Sequence, residues 1–404
     1  MGFLFGNGGI FAAPPGKGGL ISLDKSLGNT ILVGNSPRGV EAVMRNYLID
    51  AINQGDAVVI LRNGDNGFSA YPSVTNMRGR IYDIDISEEL SAEQFDGYAG
   101  YSDREQDMAI LQTMELYNEI DSAKKMKFQN YISIVRQLLA TRKKRLRLNE
   151  LYQYNIDEVE MLNASAPIPD VEKMRNERFF NSFRSEIFEF ETYFYEFANN
   201  AVGHILSGAK PLETIFASKT VVEISLDFKS HETESNVLLR SVVNVLGKFN
   251  CMAAGKRGLT VAVNEIPNES LEQSGLQKLI KNTPNCSVIY SVADISKLLE
   301  KTNDWIEYAD SYFFLRQTSD KNKEFSSSFF GTYEKQKVTT NQSRSTPTFW
   351  DRLNNRGATT NTSGTTVTTE KERVYQPDDF AVMPENEAIY FFKKSNSHNR
   401  IRLF

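Results

Sequence analysis

The stretch that most limits what this chain can fold into is residues 29–63, NTILVGNSPRGVEAVMRNYLIDAINQGDAVVILRN. An apolar run, Ile31 to Val33, leads into Gly34, and Gly39 follows at the start of a helical pattern. A second apolar run, Ala57 to Leu61, comes after that pattern. Two short apolar strands joined through one helix are typical of a parallel β-α-β unit. The stretch therefore predicts an α/β fold whose first turn is bounded by glycines.

The two glycines are separated as in the phosphate-binding loop G-x-x-x-x-G-K-[ST]. Val40 and Glu41 stand where that loop has its phosphate-binding lysine and its magnesium-binding hydroxyl. Valine cannot bind phosphate, and a carboxylate near a helix start takes the position that the helix dipole offers to anions. We therefore predict that Glu41 occupies the space where a phosphate would lie. The candidate loop residues are Gly34, Asn35, Ser36, Arg38, Gly39, Val40 and Glu41.

Two other residues of this turn leave its interpretation open. Pro37 removes one backbone N–H that a phosphate cradle would use. Arg38 is the only cation of the turn, but it precedes the second glycine rather than following it. A chance G-x-x-x-x-G in a strand-to-helix turn explains the pattern, taken alone, as well as a modified phosphate site does.

The composition limits the class of protein. The length of 404 residues fits two or three domains, or one large core with an insertion. A hydrophobic content of 40% and a net charge of −5 are ordinary for a soluble globular protein and show no overall preference for nucleic acid or membranes. Cys251 and Cys286 are too few for a disulfide framework, and the scattered His204, His231 and His398 predict no metal site. No segment reads as a signal peptide or membrane span, so we expect a cytoplasmic protein without membrane insertion.

The patterns change along the chain and predict five segments. They are a first part of the α/β domain (1–99), an all-helical insertion (100–215), a second part of the α/β domain (216–332), a polar, mobile or extended linker (333–374) and a C-terminal segment that docks on the core (375–404). A helix is expected over Val40–Gln54, and strands over 18–23, 30–33, 57–62, 80–85, 220–226, 259–267, 286–292, 311–317 and 388–393.

A second motif lies on the strand LTVAVNEIP, residues 259–267. An apolar strand that ends in Asp-Glu is the usual carrier of the magnesium-orienting aspartate and the catalytic glutamate of ATP hydrolysis. Here the pair is Asn264-Glu265. A neutral amide is a poorer partner for hydrated magnesium than a carboxylate. Glu265 could still polarise a water, but only beside bound nucleotide and metal. An ordinary polar strand end explains the pair as well, although two altered motifs in the right order are harder to assign to chance.

The order of these elements resembles the RecA-like motor domain of the FtsK–HerA branch, and most of all the conjugative coupling proteins and related type IV secretion ATPases. The resemblance spans most of residues 25–404 and is carried by NTILVGNSPRGVE, AVVILRNGDNG, KTVVEISLDF, GLTVAVNEIPN, CSVIYSVADISKLL, ADSYFFLRQTSDKNKEFSSSFFG and VYQPDDFAVMPENEAIYFF. It implies a mostly parallel sheet flanked by helices, with an all-helical inserted domain. The departures fall on the family's catalytic positions, namely Val40, Glu41, Asn264 and Val292, the last of which stands in place of a glutamine sensor.

A basic cluster and a single arginine are further candidates for binding. The cations Arg142, Lys143, Lys144, Arg145 and Arg147 are the best local candidate for a polyanion contact. A solvated helix end with basic residues is the somewhat stronger interpretation. Similarly, Arg316 could face a neighbouring subunit as an arginine finger would, although a surface arginine or local ion pair is the preferred interpretation.

The helical segment is rich in aromatic residues, and they too have two interpretations. They could form a stacking platform for bases. The core of a helical bundle is the strongly favoured interpretation. The residues are Phe179, Phe180, Phe183, Phe188, Tyr193, Phe194 and Tyr195.

The leading hypothesis from the sequence is a pseudo-ATPase, a binding or assembly component in DNA conjugation or type IV secretion, with no cofactor expected. Its partners would be DNA, a secreted protein, a catalytically active related ATPase or further copies of itself, and it could lie peripheral to a membrane-bound secretion complex. One alternative is an active ATP-driven DNA translocase that uses ATP and Mg²⁺, with Arg38 as the displaced cation and Glu265 as the catalytic residue. The other is a purely structural ring or filament subunit.

Overall fold

The structure is a computed structural model. The residues it describes are 9–11, 21–23, 28–53, 55–64, 81–87, 93–98, 101–117, 119–146, 151, 154–208, 210, 221–252, 258–282, 286–295, 308–345 and 360–403.

A nine-stranded sheet forms the centre of the fold. Its spatial order is β13-β12-β9-β3-β8-β7-β4-β6-β5. Seven neighbouring strands, β9 to β5 in that order, are parallel, and β12 and β13 add an antiparallel edge. The sheet strands are β3 (Thr30–Val33), β4 (Ala57–Asn63), β5 (Ile81–Asp85), β6 (Val221–Leu226), β7 (Leu259–Asn264), β8 (Cys286–Val292), β9 (Ser311–Phe314), β12 (Glu387–Phe392) and β13 (Ser397–Arg402). This arrangement confirms the predicted fold class.

The parallel strands are short apolar runs because both faces of the sheet are covered. Every residue of β3, β6 and β9 is buried. Helix α1 (Pro37–Asn53) covers one face, and its Val43, Tyr47 and Ala51, which lie at helical spacing, are buried there. A small antiparallel pair, β1 (Gly9–Phe11) and β2 (Ile21–Leu23), lies outside the main sheet.

The opposite face packs against the remaining helices in one continuous apolar cluster. That cluster joins the sheet to the helical segment and includes buried side chains of helix α7 (Glu232–Met252). The helices are α2 (Asp103–Tyr117), α3 (Ser122–Thr141), α4 (Ile156–Ser165), α5 (Asp170–Ala198), α6 (Ala201–Leu206), α7 (Glu232–Met252), α8 (Asn268–Ser274), α9 (Leu276–Asn282), α10 (Asp320–Phe329) and α11 (Pro377–Ala381), and a 3₁₀ turn spans Lys393–Ser395.

The aromatic rings of the helical segment divide between its interior and its surface. Phe180 and Phe194 are buried in the apolar cluster, as a bundle core requires. Phe188 and Tyr195 remain 67% and 53% exposed. The core interpretation is therefore right for the buried rings, and the exposed ones need a separate explanation.

The segment predicted as a linker, 333–374, is largely a long antiparallel ribbon, and this corrects the sequence interpretation. Strands β10 (Thr332–Ser345) and β11 (Thr360–Arg373) pair over fourteen residues each. Their polarity suggested mobility, but the strands are rich in threonine, whose β-branched side chain favours extended backbone. Pairs such as Thr339–Thr366 face each other across the ribbon, where threonine neighbours stabilise strand pairing.

A buried ion pair lies within the sheet, between strands β4 and β6. The apolar pattern of these strands did not predict it. Arg62 Nε donates to Glu223 Oε1 at 2.7 Å, and the two side chains are 6% and 0% exposed. The same guanidinium donates to the carbonyl of Gly64. A buried carboxylate without a cation would carry a large desolvation cost. The pair therefore links the end of β4 to the middle of β6.

None of the helices in the described residues is both long enough and apolar enough to cross a membrane.

Removing one partner of the buried pair tests this role. Arg62→Met leaves the Glu223 carboxylate buried without its cation, so the free energy of unfolding should fall by about 3–5 kcal/mol. The double variant Arg62→Met/Glu223→Leu should recover most of that lost stability, because neither charge is then buried. Chemical denaturation measures the free energy of unfolding of both variants. The matched control is Arg400→Met in the pair Arg400–Glu387, where Arg400 is 46% exposed; it should cost under about 1 kcal/mol. Equal losses for the two single variants would contradict a special role for the buried pair.

Candidate functional site

The turn between β3 and α1 is shorter than its sequence pattern suggested. Helix α1 begins at Pro37, three residues before the predicted start at Val40, so only Gly34, Asn35 and Ser36 remain as a loop. Proline fits the first position of a helix because its missing N–H would be unpaired there in any case. The second glycine, Gly39, therefore lies within the first helical turn.

Ser36 caps the start of α1. Its Oγ accepts a hydrogen bond from the backbone N–H of Gly39 at 3.2 Å, and its carbonyl accepts one from Val40 at 2.9 Å. The residue is only 2% exposed. A serine in this position satisfies N–H groups that are otherwise free at a helix start. The N–H groups that a phosphate would need are thus partly used within the chain itself.

The two glycines of the turn are explained by close packing. Gly34 has a φ of +140°, and a Cβ at this position would lie 2.7 Å from the carbonyl oxygen of Arg316. A Cβ on Gly39 would lie 3.0 Å from Ser36 Oγ and 3.2 Å from Leu315 Cδ2. Both glycines therefore let the turn and the first helical turn approach the end of β9. This requirement is independent of any ligand.

Backbone hydrogen bonds hold the turn to both strands beside β3. Gly34 N–H donates to the carbonyl of Val292 at 3.1 Å, at the end of β8. Asn35 N–H donates to the carbonyl of Arg316 at 3.0 Å, just after β9. Val292 is buried, whereas the Arg316 side chain is exposed. The structure thus brings the loop Gly34–Ser36 to the same edge of the sheet as Val292, the residue in place of the glutamine sensor, and Arg316, the candidate arginine finger.

The strand end with Asn264 and Glu265 lies on the same carboxyl edge, and its polar groups bind one another. Ser291 Oγ donates to Asn264 Oδ1 at 2.8 Å and accepts from Glu265 N–H at 3.2 Å. Glu265 has a φ of +57°, which ends β7 at Asn264 instead of the predicted residue 267. Asn63 Nδ2 donates to the Glu265 carbonyl at 3.3 Å. Ser291 and Asn63 were missed from the sequence, because a serine inside a strand and a polar strand end carry no specific signal.

The side chains of Arg38, Glu41 and Glu265 are placed differently from one another. Arg38 and Glu265 are exposed, and Glu41 is half-buried. Glu41 is the fifth residue of α1, beyond the first turn where free N–H groups point along the axis. The group that the structure places on those N–H groups is the Ser36 hydroxyl. The occupation of a phosphate position by Glu41 stays a prediction.

The basic cluster at the end of α3 is largely engaged within the chain. Arg142 donates to Ser165 Oγ at 2.9 Å, and Lys144 donates to the Tyr154 hydroxyl at 3.3 Å. Arg145 pairs with Asp96 at 3.4 Å. Lys143 follows the helix with a φ of +57°. The remaining member, Arg147, lies outside the described residues. All four described side chains are nevertheless exposed, so they can also meet a polyanion.

Within the described residues, no group of three or more His, Cys, Asp or Glu side chains is arranged to hold a metal ion.

The turn after β6 also carries a carboxylate at the same edge of the sheet. Asp227 Oδ1 accepts the backbone N–H groups of Lys229 and Ser230, each at 3.0 Å. These N–H groups stabilise the ionised form and hold the pKa of Asp227 below its ordinary value, the Ser230 bond being the larger cause. Its role is to shape the turn into α7.

Comparison with known proteins gives matches of structure but not of sequence. No family model matches the sequence, and no curated protein matches it. The unbound monoclinic form of the bacterial conjugative coupling protein TrwBΔN70 matches with a TM-score of 0.61 and 13% identity over 95% of this chain and 86% of that chain. The plasmid coupling protein TrwB in complex with ADP and Mg²⁺ matches with a TM-score of 0.57 and 13% identity over 95% and 87%. VirB4 of Thermoanaerobacter pseudethanolicus matches with a TM-score of 0.57 and 11% identity over 100% and 98%.

These matches confirm the resemblance at the level of the fold. The chain has a RecA-like fold, similar to the folds of TrwB and VirB4. The coverage shows that the likeness includes the helical segment and the closing strands as well as the sheet.

An alanine at Gly34 tests the packing of the turn. Gly34→Ala adds a Cβ against the Arg316 carbonyl at an unfavourable φ, so we expect a loss of about 3 kcal/mol in the free energy of unfolding. Gly64→Ala is the matched control, because Gly64 has a φ of +87° and nothing within 4 Å of the added Cβ. Its cost should be near 1 kcal/mol, from backbone strain alone. Similar losses in denaturant titrations would show that the turn is not held closely against β9.

Proposed function

We propose that this chain is a catalytically degenerate member of the coupling-protein type of RecA-like NTPases, and that it acts in binding and assembly within a conjugation or type IV secretion system. The fold and its likeness to TrwB and VirB4 support the system. The degeneracy is supported by the loop. It has lost the lysine and the hydroxyl, and its own serine caps the helix start.

The observation that carries the proposal is the bonding of the two altered motifs. The first-turn N–H of Gly39 is taken up by Ser36, and the oxygen of Asn264 by Ser291. A working site keeps such groups free for phosphate and for water on magnesium. TrwB, by comparison, has been crystallised with ADP and Mg²⁺. In this chain both polar positions are satisfied without a ligand.

Nucleotide titration tests the proposal directly. We expect fluorescent ATP to show no magnesium-dependent saturation at micromolar concentrations, because the lysine that would bind the β/γ-phosphates is absent. Phosphate release should equal that of the variant Glu265→Gln. Micromolar binding together with turnover that Glu265→Gln abolishes would overturn the assignment.

An active motor is the rival function, and one observation favours it. Arg38 is exposed at the second position of α1, two residues after the loop. If it replaces the missing lysine, Arg38→Ala should abolish both ATP binding and hydrolysis. Arg45, further along the same helix and half-buried, supplies the control variant Arg45→Ala. Under the degenerate assignment, neither variant changes the ATP signal.

Nucleic acid binding is the proposed role of the basic cluster. Gel-shift assays with duplex DNA at two salt concentrations should show a complex that weakens at the higher salt, because phosphate contacts release counterions. Reversal of Arg142, Lys143 and Lys144 to Glu should remove the shift. The same triple reversal at Lys335, Lys337 and Lys371 on the ribbon should leave it. Wild-type protein that gives no shift at low salt would exclude this role and favour a protein partner or a structural subunit.

A further inference from the structure

A cavity of about 300 Å³ lies in the helical segment, away from the sheet edge. Its floor is formed by the buried side chains of Tyr131, Leu151, Phe190 and Phe194. Its rim is formed by Tyr154, Asn155, Glu191, Thr192 and Tyr195, of which Asn155, Thr192 and Tyr195 are exposed. A volume at the lower end of the range for ligand pockets fits one side chain or a small molecule. One of the two exposed rings, Tyr195, is thus part of the cavity rim.

A single carboxylate is held at the mouth of this aromatic cavity. Glu191 Oε1 accepts a hydrogen bond from the Tyr131 hydroxyl at 3.2 Å. The backbone N–H of Ile156, at the start of α4, also stabilises its ionised form. Burial nevertheless raises the pKa of Glu191 above its ordinary value, with burial as the largest cause. A cation beside it would offset part of this desolvation.

The charges around the cavity are mainly negative. Three carboxylates on α4 contribute to this negative charge. Asp157 interacts electrostatically with Glu191. Glu158 and Glu160 interact electrostatically with Tyr131. Arg184 pairs with Glu160 at 2.7 Å and with Asp157, and so neutralises part of this field. One cation contacts the rim, since Lys144 donates to the Tyr154 hydroxyl at 3.3 Å. On the α4 side of the cavity this field repels phosphate, which argues against the base-stacking interpretation of these rings, whereas the basic cluster reaches the rim at Lys144.

We propose that this cavity binds an organic cation, a guanidinium or ammonium group on an apolar stem, with Glu191 as the counter-charge and the surrounding rings as its walls. Aromatic faces attract cations, and more strongly where water is excluded. A guanidinium also stacks on a ring while it donates to a carboxylate. The apolar floor suits the methylene stem of such a group. The site is separate from the β3–α1 turn, so it holds whether or not the α/β core binds nucleotide.

Fluorescence anisotropy with the full chain tests the site. The probes are a fluorescein-labelled Gly-Gly-Arg-Gly-Gly peptide and its citrulline counterpart, which has the same shape without the charge. We expect the arginine peptide to bind at least tenfold more tightly. Agmatine, a small molecule with a guanidinium group and an amine, should displace the arginine peptide. If agmatine binds more tightly than the peptide, the preferred ligand is a small cation; if it binds more weakly, the preferred ligand is a peptide.

Variants at the rim locate the binding. Glu191→Gln keeps an oxygen for the Tyr131 hydroxyl but removes the charge, and should weaken the arginine peptide at least tenfold. Glu189→Gln is the matched control, because Glu189 is on the same helix but pairs with Lys124 at 2.6 Å, and it does not line the cavity. Should Glu191→Gln unfold, Thr192→Arg decides, since an added cation at the exposed rim should abolish binding.

Three results would overturn the proposal. One is equal affinity for the arginine and citrulline peptides, which would show an apolar pocket without charge selection. Another is displacement of the probe by oligo(dT), which would restore the base-stacking interpretation. The last is an arginine peptide that does not bind at millimolar concentration to a protein with a normal unfolding transition.

Discussion

The whole α/β half of the molecule depends on the position of β3 between β8 and β9. The turn that follows it is bonded to the ends of both neighbours, through the carbonyls of Val292 and Arg316. Helix α1 must therefore start close above the sheet, and only glycine at position 34 leaves room for this approach. The glycine spacing that marks a phosphate loop thus has a sufficient mechanical cause here. Packing alone therefore requires both glycines, whatever the turn binds.

The sheet could be predicted closely from the sequence because buried parallel strands are short apolar runs. The predicted bounds of 30–33 and 286–292 agree with the structure to the residue. Failures occurred where one polar residue decides the geometry. Ser36 moves the helix start to Pro37, and Glu265 ends β7 with a positive φ. Neither effect has a periodic pattern. The Ser36 cap is a local signal, a serine followed by proline and glycine, whereas the end of β7 depends on Ser291, which the rest of the fold places beside it.

Other features could not be read because they depend on pairing across long sequence distances. Glu223 looks out of place in an apolar strand until Arg62 is found beside it, 161 residues earlier. The basic cluster looked like a free patch, yet its arginines bind Ser165 and Asp96. The aromatic run looked uniform, although its members divide between a core and the wall of a cavity. In each case the residue type was visible and the partner was not.

The ribbon of β10 and β11 leaves the core and returns to it at nearly the same point. Val374 N–H donates to the Gly331 carbonyl at 3.2 Å, and Arg373 binds Glu324 of α10 at 2.6 Å. Fourteen extended residues reach roughly 46 Å, but none of that length is needed to connect β9 to β12. The strand order of the core therefore does not depend on the length of the ribbon. A longer or shorter ribbon would leave the pairing of the sheet strands unchanged.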